Sequence, residues 1–244
     1  MRGWLLIVVA ALAACSKPAA PTNTAAVANA VAPAANVARA PGAAPSQKLA
    51  KIFTADILGA NIAYLETITG PAFRTEGKLR TYKVDDCTVL VGSADGVKID
   101  NIGVDDYGPR CSFPIAQYFA SGSAPPTPDI PTFGQLRQSL DGRFTASCLH
   151  LCGNAADPTV MWRHQGSHAD NFNDLLAEVP VREDPVLDAY EDWANKLIAK
   201  YGEDYVERRR YDQGDNLDDV AAHDFANIRP TRIRVGSNLD AAEE

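Results

Sequence analysis

The chain changes character at residue 47, and that change limits how much of it can build a core. From Ser16 to Gln47 it holds thirteen alanines and five prolines in 32 residues, with no acidic residue and only Lys17 and Arg39 as charges. Alanine favours helix, but Pro18, Pro21, Pro33, Pro41 and Pro45 interrupt any long one, and no large apolar side chain is present to bury. This stretch predicts a disordered tether, with an r.m.s. reach of roughly 30 Å if flexible. All 31 acidic residues lie beyond it, with 20 of the 23 basic ones. The 197 residues from Lys48 to Glu244 therefore carry a formal charge of −11, against −8 for the whole chain. Their hydrophobic content, about 42%, is that of an ordinary globular domain long enough to bury a core. An acidic domain of this kind speaks against nucleic acid as a partner.

Ahead of the tether, Met1-Arg2 precedes an apolar run from Trp4 to Ala14. That run is shorter than the ~20 residues needed to span a bilayer. A positive start, a short apolar run and small residues at its end predict a signal peptide over residues 1–14. The run closes Leu12-Ala13-Ala14-Cys15, which resembles the lipobox of bacterial lipoproteins. The resemblance implies cleavage before Cys15, lipidation of its thiol with fatty acyl (palmitate-type) chains, and acylation of the new amine. The membrane is then a partner through these chains, each buried CH₂ contributing about 0.8 kcal/mol. Ser16 stands where the family's inner-membrane retention signal has Asp, which implies the periplasmic face of the outer membrane. The chain would thus comprise a leader (1–14), a lipidated Cys15 with its tether (15–47), and a periplasmic domain (48–244).

Within that domain the patterning predicts an α+β fold built from helix-plus-antiparallel-meander units, with C-terminal helices. Leu58, Ile62, Leu65 and Ile68 fall at helical spacing, and Gly70-Pro71 stops that helix. Strands are expected over Leu79–Val84 and Cys87–Gly92. After a turn at Ala94-Asp95-Gly96, a third follows over Val97–Val104. Pro-rich Ser123–Pro131 reads as a connector. The order then recurs: a helix around Phe133–Leu140, and strands from Arg143, over Thr159–His164 and near Asn173–Val181. That recurrence suggests a degenerate tandem pair, with halves 48–122 and 132–244. Val186, Tyr190, Trp193, Ala194, Leu197, Ile198 and Tyr201 form one apolar helical stripe capped by Gly202. A short helix near Leu217–Phe225 and a closing strand over Thr231–Val235 complete the pattern.

The stretch Leu58-Gly59, Ile62, Leu65 and Gly70-Pro71, followed by strands, resembles the small outer-membrane-assembly lipoproteins and the tandem β-lactamase-inhibitor proteins. The resemblance covers about 45 residues. It implies a protein-binding surface on a sheet.

With Cys15 set aside, Cys87, Cys111, Cys148 and Cys152 form an even set in an exported chain, where thiols oxidise. The expected disulfides are Cys87–Cys111 and Cys148–Cys152. The first closes a loop of about 25 residues and stabilises by roughly 3–4 kcal/mol in the chain-entropy model. The second needs a turn, because residues four apart in a strand lie about 13 Å apart, beyond bridging distance. Two alternatives use the same residues. Cys148, Cys152, His164 and His168 nearly match the spacing of a Cys₂His₂ zinc site. Against zinc, Ala156 stands where a finger has its core aromatic, and no basic helix is present. Cys148-x-x-x-Cys152 could also be a redox pair, but it departs from the Cys-x-x-Cys of the exchange enzymes.

Asp157, His164 and His168 lie near Ser147 and Ser167, so a nucleophile–base–acid trio can be drawn for an envelope hydrolase using the Cys148–His168 region. No Gly-x-Ser-x-Gly, Ser-x-x-Lys or His-Glu-x-x-His motif supports it. Gly153–Pro158 is more simply a loop. The pairs Asp85-Asp86, Asp105-Asp106 and Asp218-Asp219 read as turn and cap residues rather than calcium ligands. Arg208-Arg209-Arg210 is flanked by acids and reads as a solvated, internally paired run. His150 alternates with Leu149 and Leu151, which predicts that it faces away from both. The expected function is therefore a non-catalytic protein-binding or envelope-assembly module, with no cofactor and no metal.

Overall fold

The computed structural model describes residues 47–119, 131–152, 157–168, 171–208 and 218–242. The leader, Cys15, the tether up to Ser46, most of the Pro-rich connector, the loop at 153–156 and Arg209-Arg210 lie outside the described residues. The strands are β1 (Arg74–Glu76), β2 (Leu79–Val84), β3 (Cys87–Gly92), β4 (Asn101–Asp105), β5 (Arg143–Ala146), β6 (Thr159–His164), β7 (Asp174–Pro180) and β8 (Arg232–Gly236). They form one antiparallel sheet in the order β1-β2-β3-β4-β8-β7-β6-β5. Helices α1 (Gln47–Ile52), α2 (Ile62–Thr69), α3 (Phe133–Ser139), α4 (Val186–Tyr201), α5 (Glu203–Arg208) and α6 (Asp218–Asp224) complete an α+β fold.

Alternation along the strands sends one set of side chains to a single face. Cross-strand register aligns Tyr82, Val89, Val104, Ile233, Ala177, Trp162 and Phe144 in one row across seven strands. All seven are buried in one continuous core. The helices cover this face. Tyr82 Oη donates to Glu66 of α2 at 3.2 Å, the Phe133 ring of α3 lies 5.4 Å from Phe144, and Trp193 of α4 meets Phe225 edge-on at 6.0 Å. Local signals start and stop these helices. Asn61 accepts from Ala63 N–H at the start of α2, Thr132 and Gln135 form a reciprocal capping box on α3, and Gly202 caps α4.

The second half orders a helix before three antiparallel strands, α3-β5-β6-β7, and the first does so with an added edge strand, α2-β1-β2-β3-β4. The recurrence read from the sequence is thus present in order. It is opposite in hand. β4 and β7 both pair antiparallel with β8 and so run the same way. The halves approach β8 from opposite edges while their helices share one face, so no rotation superposes one half on the other.

Two boundaries differ from the sequence expectation by four residues, for one reason. The helix expected to include Leu58 begins only at Ile62, and the strand expected from Val97 begins at Asn101. Residues 59–62 and 97–99 pair with each other instead: Gly59 N–H donates to Ile99 at 2.7 Å, Ile99 to Ala60 at 2.9 Å and Ile62 to Val97 at 2.8 Å. Gly59 supplies the positive φ of 84° that this detour requires. Asp95 turns the other segment by accepting from Val97 and Lys98 N–H, both at 2.7 Å.

Candidate functional surface

Among the described residues of the Cys148–His168 region, no group of three His, Cys, Asp or Glu is placed to hold a metal ion, and the drawn trio is not gathered at one place. Cys148 and Cys152 are joined in a disulfide with Cα atoms 5.6 Å apart, so the chain turns there. Their thiols are oxidised to each other and are not zinc ligands, which corrects the Cys₂His₂ alternative. Ser147 accepts from Thr159 N–H at 2.9 Å at the start of β6. His164 ends that strand, about 17 Å away at strand rise, where it is buried with Nδ1 2.6 Å from the Asp141 carbonyl. Asp157 pairs with Arg182 at 2.8 Å. His168 and Ser167 are exposed in the β6–β7 loop, where the His168 ring lies 5.4 Å from Phe172. Ser147 and Asp157 thus lie at one end of β6 and His164, Ser167 and His168 at or beyond the other, so the trio as drawn with Asp157 is not brought together.

The expected alternation around His150 also breaks. Leu149 is buried but Leu151 is 66% exposed, because the disulfide turn reverses the chain between them. Leu151 takes a positive φ of 52°. His150 Nε2 lies 2.7 Å from Glu203 of α5.

The other disulfide, Cys87–Cys111, is buried and ties β3 to the loop after β4. The acidic pairs are dispersed as well. Asp85 occupies the β2–β3 turn at φ 53° and pairs with Lys48 at 3.7 Å, while Asp86 pairs with Arg110 at 3.6 Å. Asp105 pairs with Arg232, and Asp219 with Arg137 at 3.6 Å. Among the described residues, no group of three or more His, Cys, Asp or Glu is placed to hold a metal ion.

The face of the sheet opposite the helices is a different surface. One row across it reads Lys83, Thr88, Asp105, Arg232, Glu178, Met161 and Thr145. Arg232 Nε donates to Asp105 at 3.1 Å and its other arm lies 3.7 Å from Glu178. The adjacent row reads Thr81, Leu90, Gly103, Arg234, Leu176, Arg163 and Arg143. Arg234 is 3% exposed. Its stem lies so close over Gly103 that any side chain there would strike it and the backbone of Ile233.

A strap formed by the C-terminal residues covers this second row. After β8 the chain folds back, and Asn101 Nδ2 donates to the carbonyls of Ser237 and Asn238 at 3.0 and 3.3 Å. Arg234 donates to the Leu239 carbonyl at 3.2 Å. Leu239 is fully buried in a 3₁₀ turn (Leu239–Ala242) packed on β3 and β8. Arg163 binds both Asp240 and Asp174. Partial burial pulls its guanidinium down, but these two carboxylates hold it above its ordinary value.

The first row stays open. Among the described residues Lys83 is exposed, Thr88, Asp105, Arg232, Met161 and Thr145 are half-buried, and Glu178 between Arg232 and Met161 is buried. The resemblance implied a surface on a sheet but sequence reasoning named none of its residues, although the alternation Arg232-Ile233-Arg234-Val235 placed two arginines opposite the core face. Among the described residues no helix is long and apolar enough to cross a membrane. No family model, no curated protein and no solved structure matches this chain.

Proposed function

We propose that the chain is a bacterial lipoprotein, anchored through acylated Cys15 at the periplasmic face of the outer membrane, that acts as a non-catalytic protein-binding or envelope-assembly module. The contact surface is the open row of the sheet from Lys83 to Thr145. The observation that carries this reading is a row of the sheet, opposite the α-helices among the described residues, that is half-exposed but for Glu178 and lined by a preformed ladder of charge. A fixed array of this kind supports specificity by matching or repelling a partner's charges. Three further points support it. Leu12-Ala13-Ala14-Cys15 resembles a lipobox, the Leu58–Pro71 stretch resembles families that bind proteins on a sheet, and the domain's charge of −11 repels anionic lipid.

Two measurements test the two parts of the reading. Metabolic labelling with a fatty acid should mark the wild-type chain and not Cys15→Ser. Label on neither chain removes the anchor. A crosslinked pull-down from native envelope should recover a defined protein with the wild type and lose it with Lys83→Glu/Met161→Glu. Equal recovery by that variant would contradict the open row as the contact surface.

A further inference from the structure

The two disulfides sit in opposite environments. Cys87 and Cys111 are 3% and 8% exposed, which shields their sulfurs from an incoming thiol. Cys148 and Cys152 are half-buried at the surface, in a ring closed across only four residues of separation. Such a short ring confines little of the unfolded chain, so it gains little from loop entropy. It also holds Leu151, a branched side chain, at a φ of 52°, a region that only Gly and, less readily, Asn or Asp visit at low cost. Tyr190 of α4 reaches both ends of the ring. Its hydroxyl donates to the Cys148 carbonyl at 3.1 Å and lies 3.3 Å from Cys152 Sγ. Burial pushes the Tyr190 hydroxyl up to about 12, so it remains a donor at neutral pH.

We propose that Cys148–Cys152 is a thiol–disulfide exchange site, reduced by a dithiol in the folded protein while Cys87–Cys111 stays closed. The dithiol's thiolate attacks Cys148 Sγ, and the Cys148–Cys152 bond breaks as the new sulfur–sulfur bond forms. Cys152 leaves as a thiolate, which the Tyr190 hydroxyl can rotate to meet before water protonates it. A leaving sulfur stabilised in this way departs faster. The dithiol's second thiol loses its proton and closes on the first sulfur, freeing Cys148 as a thiolate that takes a proton from water. Two electrons pass from the dithiol, which becomes a cyclic disulfide, to the protein. The chain is the substrate of this exchange, since it lacks the Cys-x-x-Cys helix start of the exchange enzymes. Opening the ring frees Leu151 from its left-handed conformation and loosens the loop from α4.

The test treats the folded full chain with dithiothreitol, quenches with an alkylating agent, and reads each cysteine peptide by mass. Cys148 and Cys152 should label about tenfold faster or more than Cys87 and Cys111, with tryptophan fluorescence still native. Tyr190→Phe should slow that labelling about fivefold, the effect of one hydrogen bond. Leu151→Asn leaves Tyr190 in place and should shift the dithiol equilibrium toward the disulfide by about threefold, because Asn tolerates the left-handed region better. Equal labelling of all four cysteines, or labelling that waits for unfolding, overturns the proposal. An unchanged rate in folded Tyr190→Phe overturns the role of the tyrosine. An unchanged equilibrium in Leu151→Asn overturns the role of the constrained loop.

Discussion

One face of the sheet presents Tyr82, Val89, Val104, Ile233, Ala177, Trp162 and Phe144 to the helices. The other presents Lys83, Asp105, Arg232 and Glu178 in the same strands, one residue out of phase. The same backbone thus carries two different physical functions. The first face gains by removing apolar area from water, at roughly 25 cal/mol per Å². The second gains little net stability from its half-exposed Asp105–Arg232 pair, since such pairs in general contribute ~0–1 kcal/mol. What the second face has instead is a fixed arrangement of charge, and that is the property a binding surface needs.

The largest expected effect comes from breaking the core face. Trp162→Ala should destabilise by about 3–5 kcal/mol in urea unfolding, the cost of deleting a fully buried aromatic. Glu178→Ala tests where the two faces meet. Glu178 and Arg234 are 4% and 3% exposed, so the change strands a buried guanidinium beside an empty site. A loss of about 3 kcal/mol is expected in the same assay. Asp105→Ala, in the half-exposed part of the same row, should cost less than ~1 kcal/mol. If Asp105→Ala proves as costly as Glu178→Ala, the open row belongs to the stability of the fold rather than to binding.

The pH dependence should divide in the same way. Burial, with the Glu66 carboxylate beside it, pushes the Tyr82 hydroxyl up to about 12. A raised folded value means that its stabilisation is complete below the ordinary tyrosine value of 10.0 and is lost as pH rises through about 12. A spectroscopic titration of tyrosinate should show Tyr82 ionising late, with alkaline unfolding in that window. Asp95 behaves oppositely. The Lys98 and Val97 N–H groups hold its carboxylate below the ordinary value of 3.8. Its small contribution is present above that value and fades as pH falls through the lowered one. Asp95→Asn should therefore flatten the acid limb of the stability curve slightly and leave the alkaline limb unchanged.

Strands with a strong apolar pattern, alternating or continuous, were legible in the sequence. Leu79–Val84, Cys87–Gly92 and Thr159–His164 appear with the boundaries that their patterns predicted. So does the α4 stripe from Val186 to Tyr201. Where the pattern misled, a tertiary contact overrode a local one. Val97 and Ile99 alternate as a strand should, but their backbone pairs with Gly59–Ile62 outside the sheet. Leu149 and Leu151 alternate identically, yet the Cys148–Cys152 ring sends one inward and the other out. β1 (Arg74–Glu76) is wholly polar and exposed, so no hydrophobic pattern could mark it. The strap was illegible for a similar reason. It depends on Asn101 and Arg163 meeting residues 237–240 across long sequence separations. The spacing that suggested zinc or a catalytic trio took no account of Cys148 and Cys152 joining each other, nor of β6 holding Ser147 and His164 about a strand length apart.

In the proposed function the open row, and not the helical side, meets a partner. This contact is tested most directly by placing a photoreactive residue at Met161 on the open row and, separately, at exposed Asp192 on α4. Both chains are irradiated in native envelope and the adducts compared on a gel. A discrete adduct of defined mass from position 161, absent from position 192 and abolished by Lys83→Glu, is the predicted result. An adduct from position 192 with none from position 161 would contradict it.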